Sequence, residues 1–174
     1  MYSKVRIAGH PVHPMIVAFP IASYTGTLAV FAVYAANGNQ FWLNLAIALS
    51  VVGSGTAILA ALPGFADWLL GIPRESRAKR IGVIHAVLNV VALGLFIATA
   101  AKYFPHWNGP ATSATLGLTL SSAGVACTLA AGFFGWTLVQ DYHVGVRLST
   151  EQERDEPAVQ ARPTSPVGGG HRAA

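Results

Sequence analysis

The chain has 174 residues, 53% of them hydrophobic and only 10% charged, with a formal net charge of +4. A soluble domain carries about 25% charged residues, so this composition excludes an ordinary water-facing surface and predicts that lipid covers much of the chain. Cys127 is the single cysteine. An internal disulfide is thereby excluded, and a thiol half-way along an apolar run reads as a small core residue.

Four apolar runs follow one another, from about Met15 to Ala36, Phe41 to Leu62, Ile81 to Ala101 and Thr115 to Leu138, and none contains Asp, Glu, Lys or Arg. Each has the roughly 20 residues a helix needs to cross a 30 Å hydrocarbon layer. The runs are too long and too uniform for strands, and lipid offers the backbone no hydrogen bonds, so each must be helical. The first run is also too long for the apolar region of a cleaved leader, and His10 and His13 stand at its mouth.

Charge sets the expected orientation. Lys4 and Arg6 precede the first run, and Arg74, Arg77, Lys79 and Arg80 lie between the second and third. Arg147, Arg154, Arg162 and Arg172 follow the fourth, and only Lys102 falls on the other side. The positive-inside rule then puts both termini and the middle loop in the cytoplasm of a bacterial-type inner membrane. This distribution accounts for the net charge without a nucleic-acid partner. Trp42, Tyr103 and Trp107 are expected at the outer interface, and Trp68 and Trp136 at the inner one.

The fold class expected is all-α: an integral membrane bundle of four transmembrane helices spanning residues 1–148, followed by a disordered cytoplasmic tail over residues 149–174. The tail is polar and rich in proline and glycine, so it has no apolar face to bury. Helices in lipid pack through small residues. Gly117, Ser121, Gly124, Thr128, Gly132 and Gly135 form such a stripe on the fourth helix, and Ser50, Ser54, Ala57, Ala61 and Gly64 one on the second. The stripes predict close packing; the alternative is a slot for a flat cofactor. Pro20, Tyr24 and Thr25 mark either a mid-membrane polar spot or a proline kink satisfied by neighbouring helices.

A weak internal repeat suggests two helix hairpins in parallel orientation. Asp67-Trp68 with Gly71-Ile72 resembles Asp141-Tyr142 with Gly145-Val146, and His13 and His85 precede the two aspartates by 54 and 56 residues.

The topology brings His10, His13, Asp67, His85, Asn89, Asp141 and His143 to one membrane face. Ionisable groups beside a bilayer are costly and tend to face a site or one another. Pro11 and Pro14 suit a first helical turn. A helix opening at Pro11 would set His10 and His13 on one face, as their four-residue spacing does for His85 and Asn89. Such a cluster suits zinc, iron or manganese, an axial clamp on haem iron, or a proton relay. The bland reading is a set of interfacial residues that cap helices and pair with each other. Motifs of soluble hydrolases, nucleotide binders and zinc peptidases are absent.

Gly9-His10-Pro11-Val12-His13-Pro14, Phe19-Pro20-Ile21-Ala22, Gly64-Phe65-Ala66-Asp67-Trp68, His85-Ala86-x-x-Asn89 and Gly145-Val146 together resemble the bacterial membrane family known as domain of unknown function 2231. The resemblance spans about residues 8–147. It implies a small multi-spanning membrane protein and assigns no catalytic residue. Some relatives look fused to Rieske-type iron–sulfur domains, which implies redox work with a separate partner here.

These readings converge on a membrane redox module that binds haem b or a divalent metal. His13 and His85 are its expected core ligands, with His10 and His143 as a second pair. Asp67 and Asp141 either complete a metal site with His10, His13 and His85 or orient the imidazoles. The alternative is a cofactor-free structural or transport subunit. Expected partners are the lipid bilayer, a redox protein and further copies of the chain.

Overall fold

The computed structural model describes residues 3–146, 149–152 and 154. The N-terminal segment forms a two-stranded ladder, β1 (Arg6–Ile7) against β2 (His10–Pro11), with Ile7 paired to His10. Ala8 and Gly9 turn between them with φ of 50° and 83°, the backbone that a two-residue hairpin loop demands. A five-residue helix α1 (Val12–Ile16) follows, and after a break at Val17 comes α2 (Ala18–Asn37). Then come α3 (Gln40–Gly71), α4 (Arg77–Tyr103), a 3-10 turn (Phe104–His106) and α5 (Thr115–Gln140).

Four helical segments are long and apolar enough to cross a membrane: Val12–Asn37, Gln40–Gly71, Arg77–His106 and Thr115–Gln140. Their outward faces carry Phe19, Leu62, Phe65, Val90, Leu129, Phe133 and Trp136, all well exposed. Apolar surface on that scale is covered by lipid in a protein of this kind.

The helices alternate in direction. α2 packs on α3 and α4 on α5, and the two hairpins join through α3 with α4 and α2 with α5. Gly38, at φ 64°, closes α2, and the Asn39 side chain caps α3 by accepting from Phe41 N at 2.9 Å. Ser76 caps α4 through Lys79 N at 3.1 Å. The α4–α5 connection is tied down by side chains. Tyr34 Oη donates to Thr112 O at 2.8 Å, Tyr103 Oη donates to Ser113 O at 2.8 Å, and Asn44 Nδ2 donates to Asn108 Oδ1 at 2.6 Å.

Small residues seat aromatic rings. The Phe31 ring lies against Gly117, Phe96 against Gly124 and Tyr24 against Gly53, each so close that an added Cβ would stand 2.5–2.8 Å away. Close packing by the stripes is therefore what occurs, and this chain's own rings fill the space at these glycines. The buried stripe on α5 runs Gly117, Ser121, Gly124, Thr128, Ala131. Gly132 turns outward into open space, and on α3 Ala61 is exposed while Gly53 and Ala60 are buried.

The repeat is real in the packing and has its own register. His85, Phe96, Thr99 and Tyr103 on α4 each follow His13, Tyr24, Thr27 and Phe31 by 72 residues. The paired rings meet across the bundle centre, with His13 and His85 centroids 6.3 Å apart, Tyr24 and Phe96 3.7 Å, and Phe31 and Tyr103 4.8 Å. On α3 and α5 the spacing is 71: Ser50 with Ser121, Gly53 with Gly124, Ala60 with Ala131, Gly64 with Gly135. Asp67 and Asp141 do not correspond in this register, because Asp67 lies inside α3 whereas Asp141 is the C-cap of α5.

Other expectations need correction. α3 runs past Leu62 and through Pro63 to Gly71; one missing backbone donor does not end a helix held by neighbours. Tyr103 is 1% exposed, a core residue and not an interfacial anchor. At the start of the expected tail, Ser149 N donates to Gln152 Oε1 and Gln152 N donates to Ser149 Oγ, at 2.9 and 3.1 Å, a reciprocal cap. Arg147, Leu148, Glu153 and the residues from 155 onward fall outside the described residues.

Candidate functional site: a histidine pair between the two hairpins

His13 projects from the first turn of α1, and its Nδ1 lies 2.8 Å from Ala60 O on α3. His85 projects from α4, and its Nδ1 lies 2.8 Å from Ala131 O on α5. A carbonyl oxygen only accepts, so both Nδ1 atoms carry the proton. In the neutral ring each Nε2 then holds a lone pair. The two planes stand at 86°.

Glycine makes this reach feasible. In a helix the residue four positions on covers the carbonyl of residue i. Gly64 stands four past Ala60, and Gly135 four past Ala131. A Cβ on Gly64 would come within 2.7 Å of His13 Nδ1, and one on Gly135 within 3.0 Å of His85 Cε1. Both imidazoles are half-buried. On the exposed side of α4, Asn89 Nδ2 donates to His85 O at 2.8 Å and lies 3.2 Å from His85 Nε2. The predicted pairing of His85 with Asn89 on one helix face therefore holds.

The other members of the expected cluster are placed differently. His10 lies in β2 and is exposed, with Nδ1 3.0 Å from Ala8 O. Pro11 is the N-cap and the helix opens at Val12, so His10 and His13 do not share a helical face. Asp67 holds the N-terminal segment, accepting from Ser3 Oγ at 2.7 Å, Lys4 N at 2.5 Å and Val5 N at 3.1 Å. Asp141 is exposed, and His143 sits at φ 51° in the turn after α5. Among the described residues, no three His, Cys, Asp or Glu side chains are grouped as a metal ion would need. Sequence reasoning assigned carboxylates to orient the imidazoles, whereas the contacts observed at Nδ1 are to backbone carbonyls.

Near the pair, Trp68 of α3 and Lys79 of α4 lock the hairpins together. Trp68 Nε1 donates to Lys79 O at 3.2 Å, Lys79 Nζ donates to Trp68 O, and the ammonium stands 3.9 Å from the indole centroid.

Four membrane-length helices in two repeated hairpins, meeting at a buried-edge histidine pair, define a small multi-spanning membrane protein. The chain belongs to the predicted membrane protein family called domain of unknown function 2231, whose model matches residues 9–148. No curated protein and no solved structure matches it.

Proposed function

We propose that His13 and His85 would hold one haem iron and that the chain is a redox module of the membrane. The observation that carries this reading is the paired tautomer: two imidazoles from two hairpins, each with Nδ1 engaged by a carbonyl and Nε2 left as the basic nitrogen. Metal-bound histidines commonly have their second nitrogen held in this way. The two rings come from different hairpins and lie close together, with centroids 6.3 Å apart. Haem needs only two protein ligands, whereas a structural zinc needs four and a catalytic one three. Ligation would take His85 Nε2 from Asn89, which keeps its bond to His85 O.

The basic residues support an orientation. Lys4, Arg6, Arg74, Arg77, Lys79 and Arg80 flank the helix ends that carry the pair, and Lys102 lies at the opposite end. The positive-inside rule puts the pair at the cytoplasmic face of an inner membrane.

Protein purified in detergent from haem-replete cells is expected to show a sharp visible absorption band. His13→Ala and His85→Ala are each expected to remove the band while membrane insertion, which depends on the apolar runs, persists. A colourless parent protein that also fails to take up added haem would overturn the redox reading in favour of a cofactor-free subunit, with Asn89 and the carbonyls as the histidines' permanent partners.

A further inference from the structure

The two hairpins match in the core, yet Tyr24 and its repeat partner Phe96 differ by a hydroxyl. The Tyr24 ring is packed between Gly53 on one side and the Phe96 ring on the other, 3.7 Å away and 2° from parallel. Its repeat partner Phe96 is seated on Gly124 in the same manner. Tyr24 therefore has a hydroxyl where the equivalent position has none. Next to Gly53 comes Ser54, and next to Gly124 comes Val125. One repeat thus carries a pair of hydroxyls where the other carries Phe96 and Val125, so packing does not require them.

Both hydroxyls are deep in the bundle, with Tyr24 3% and Ser54 7% exposed. The Ser54 hydroxyl is a neighbour of Tyr24 Oη. Even so, neither oxygen has a partner in hydrogen-bonding geometry. The buried hydroxyls of Thr27, Ser50, Thr99, Ser121 and Thr128 are each satisfied within their own helix, by Ser23 O, Ala46 O, Leu95 O, Gly117 O and Gly124 O. An unpaired hydroxyl away from water costs about 1–3 kcal/mol, and lipid offers no relief. Two neighbouring buried hydroxyls without a partner are groups that a single water can bridge.

We propose that Tyr24 and Ser54 bind one water molecule in the hydrocarbon layer. Two hydroxyls supply two donors and four lone pairs, enough for a buried water's usual two to four bonds. The site lies about 16 Å along the helix from the histidine pair, eleven residues at 1.5 Å each, and is independent of whether that pair binds haem.

Water-selective NMR of the full-length protein in lipid nanodiscs tests this. A magnetisation-transfer signal from a long-lived water to Tyr24 Oη–H is expected in the parent protein. Tyr24→Phe, which copies the other repeat, and Ser54→Val, which copies Val125, are each expected to lose the signal with the fold intact. A signal running directly between the two hydroxyl protons with no water transfer would overturn the proposal, as would water transfer that survives Ser54→Val unchanged. Should Tyr24→Phe fail to fold, the Ser54→Val comparison decides alone.

Discussion

A backbone carbonyl has no proton to give, and that fixes the chemistry of both histidines at the level of single atoms. The bonds to Ala60 O and Ala131 O leave Nε2 as the basic nitrogen on each ring. The sequence pointed to His13 and His85 because ionisable groups at the mouth of an apolar run or within it are conspicuous. It could not name their partners, since every residue has a carbonyl. The usable signal was glycine: Gly64 and Gly135 each stand four residues past the carbonyl that is reached. Alanine substitution tests this. A Cβ at position 64 would meet His13 Nδ1 at 2.7 Å and Cε1 at 2.9 Å, whereas one at 135 would meet His85 at 3.0 and 3.1 Å. Crowding of this kind costs about 1–3 kcal/mol, and the better helix propensity of alanine returns up to about 1. Gly64→Ala is expected to lower the detergent melting temperature and to shift the His13 Nδ1 resonance, and Gly135→Ala to do both to a smaller degree. Equal, negligible effects would show that the rings can retreat from these carbonyls at no cost.

Helix by helix, the apolar runs were legible because lipid permits only helices of that length, while the helix faces were legible in part. Counting by threes and fours on α5 selects both Gly132 and Gly135, and only a partner helix can say which of them points inward. The structure puts Gly124 under Phe96, with an added Cβ 2.5 Å from the ring, and leaves open space at Gly132. Gly124→Leu is therefore expected to cost at least the 1–3 kcal/mol typical of overpacking, seen as lost folded yield or a lower midpoint in denaturant. Gly132→Leu adds one more apolar side chain toward lipid and is expected to be silent. A destabilising Gly132→Leu would mean that a second copy or another protein packs on that face. The apolar run ends near Leu62, yet α3 continues through Pro63 to Gly71, because within a bundle neighbouring helices satisfy the backbone that a proline leaves unpaired. The extension carries Asp67 onto the last turns of α3, within reach of Ser3, Lys4 and Val5. That explains why it anchors the N-terminal hairpin and is not a free ligand.

At the scale of the whole molecule, two repeated hairpins place the N-terminal segment, the α3–α4 loop and the end of α5 at one end of the bundle, and the α2–α3 and α4–α5 connections at the other. Which end faces the cytoplasm is not a property of packing. It rests on where the basic residues lie, an effect of insertion that leaves no trace in side-chain contacts. The test needs two reporters in the same fold. With Cys127 replaced by Ala, Glu75→Cys lies in the α3–α4 loop and Asn108→Cys in the α4–α5 connection, and both parent residues are exposed. Asn108 is bonded to Asn44, so its substitution loosens the loop slightly and does not bury the new thiol. A thiol reagent that cannot cross membranes, applied to intact cells, is expected to label Asn108→Cys and to leave Glu75→Cys unmodified until the cells are opened. The reverse pattern would turn the bundle over and carry His13 and His85 to the outer face, where the electron partner of a haem would have to be sought outside the cell membrane. Labelling of both positions from outside would contradict the passage of α4 through the bilayer, and the four-span topology with it.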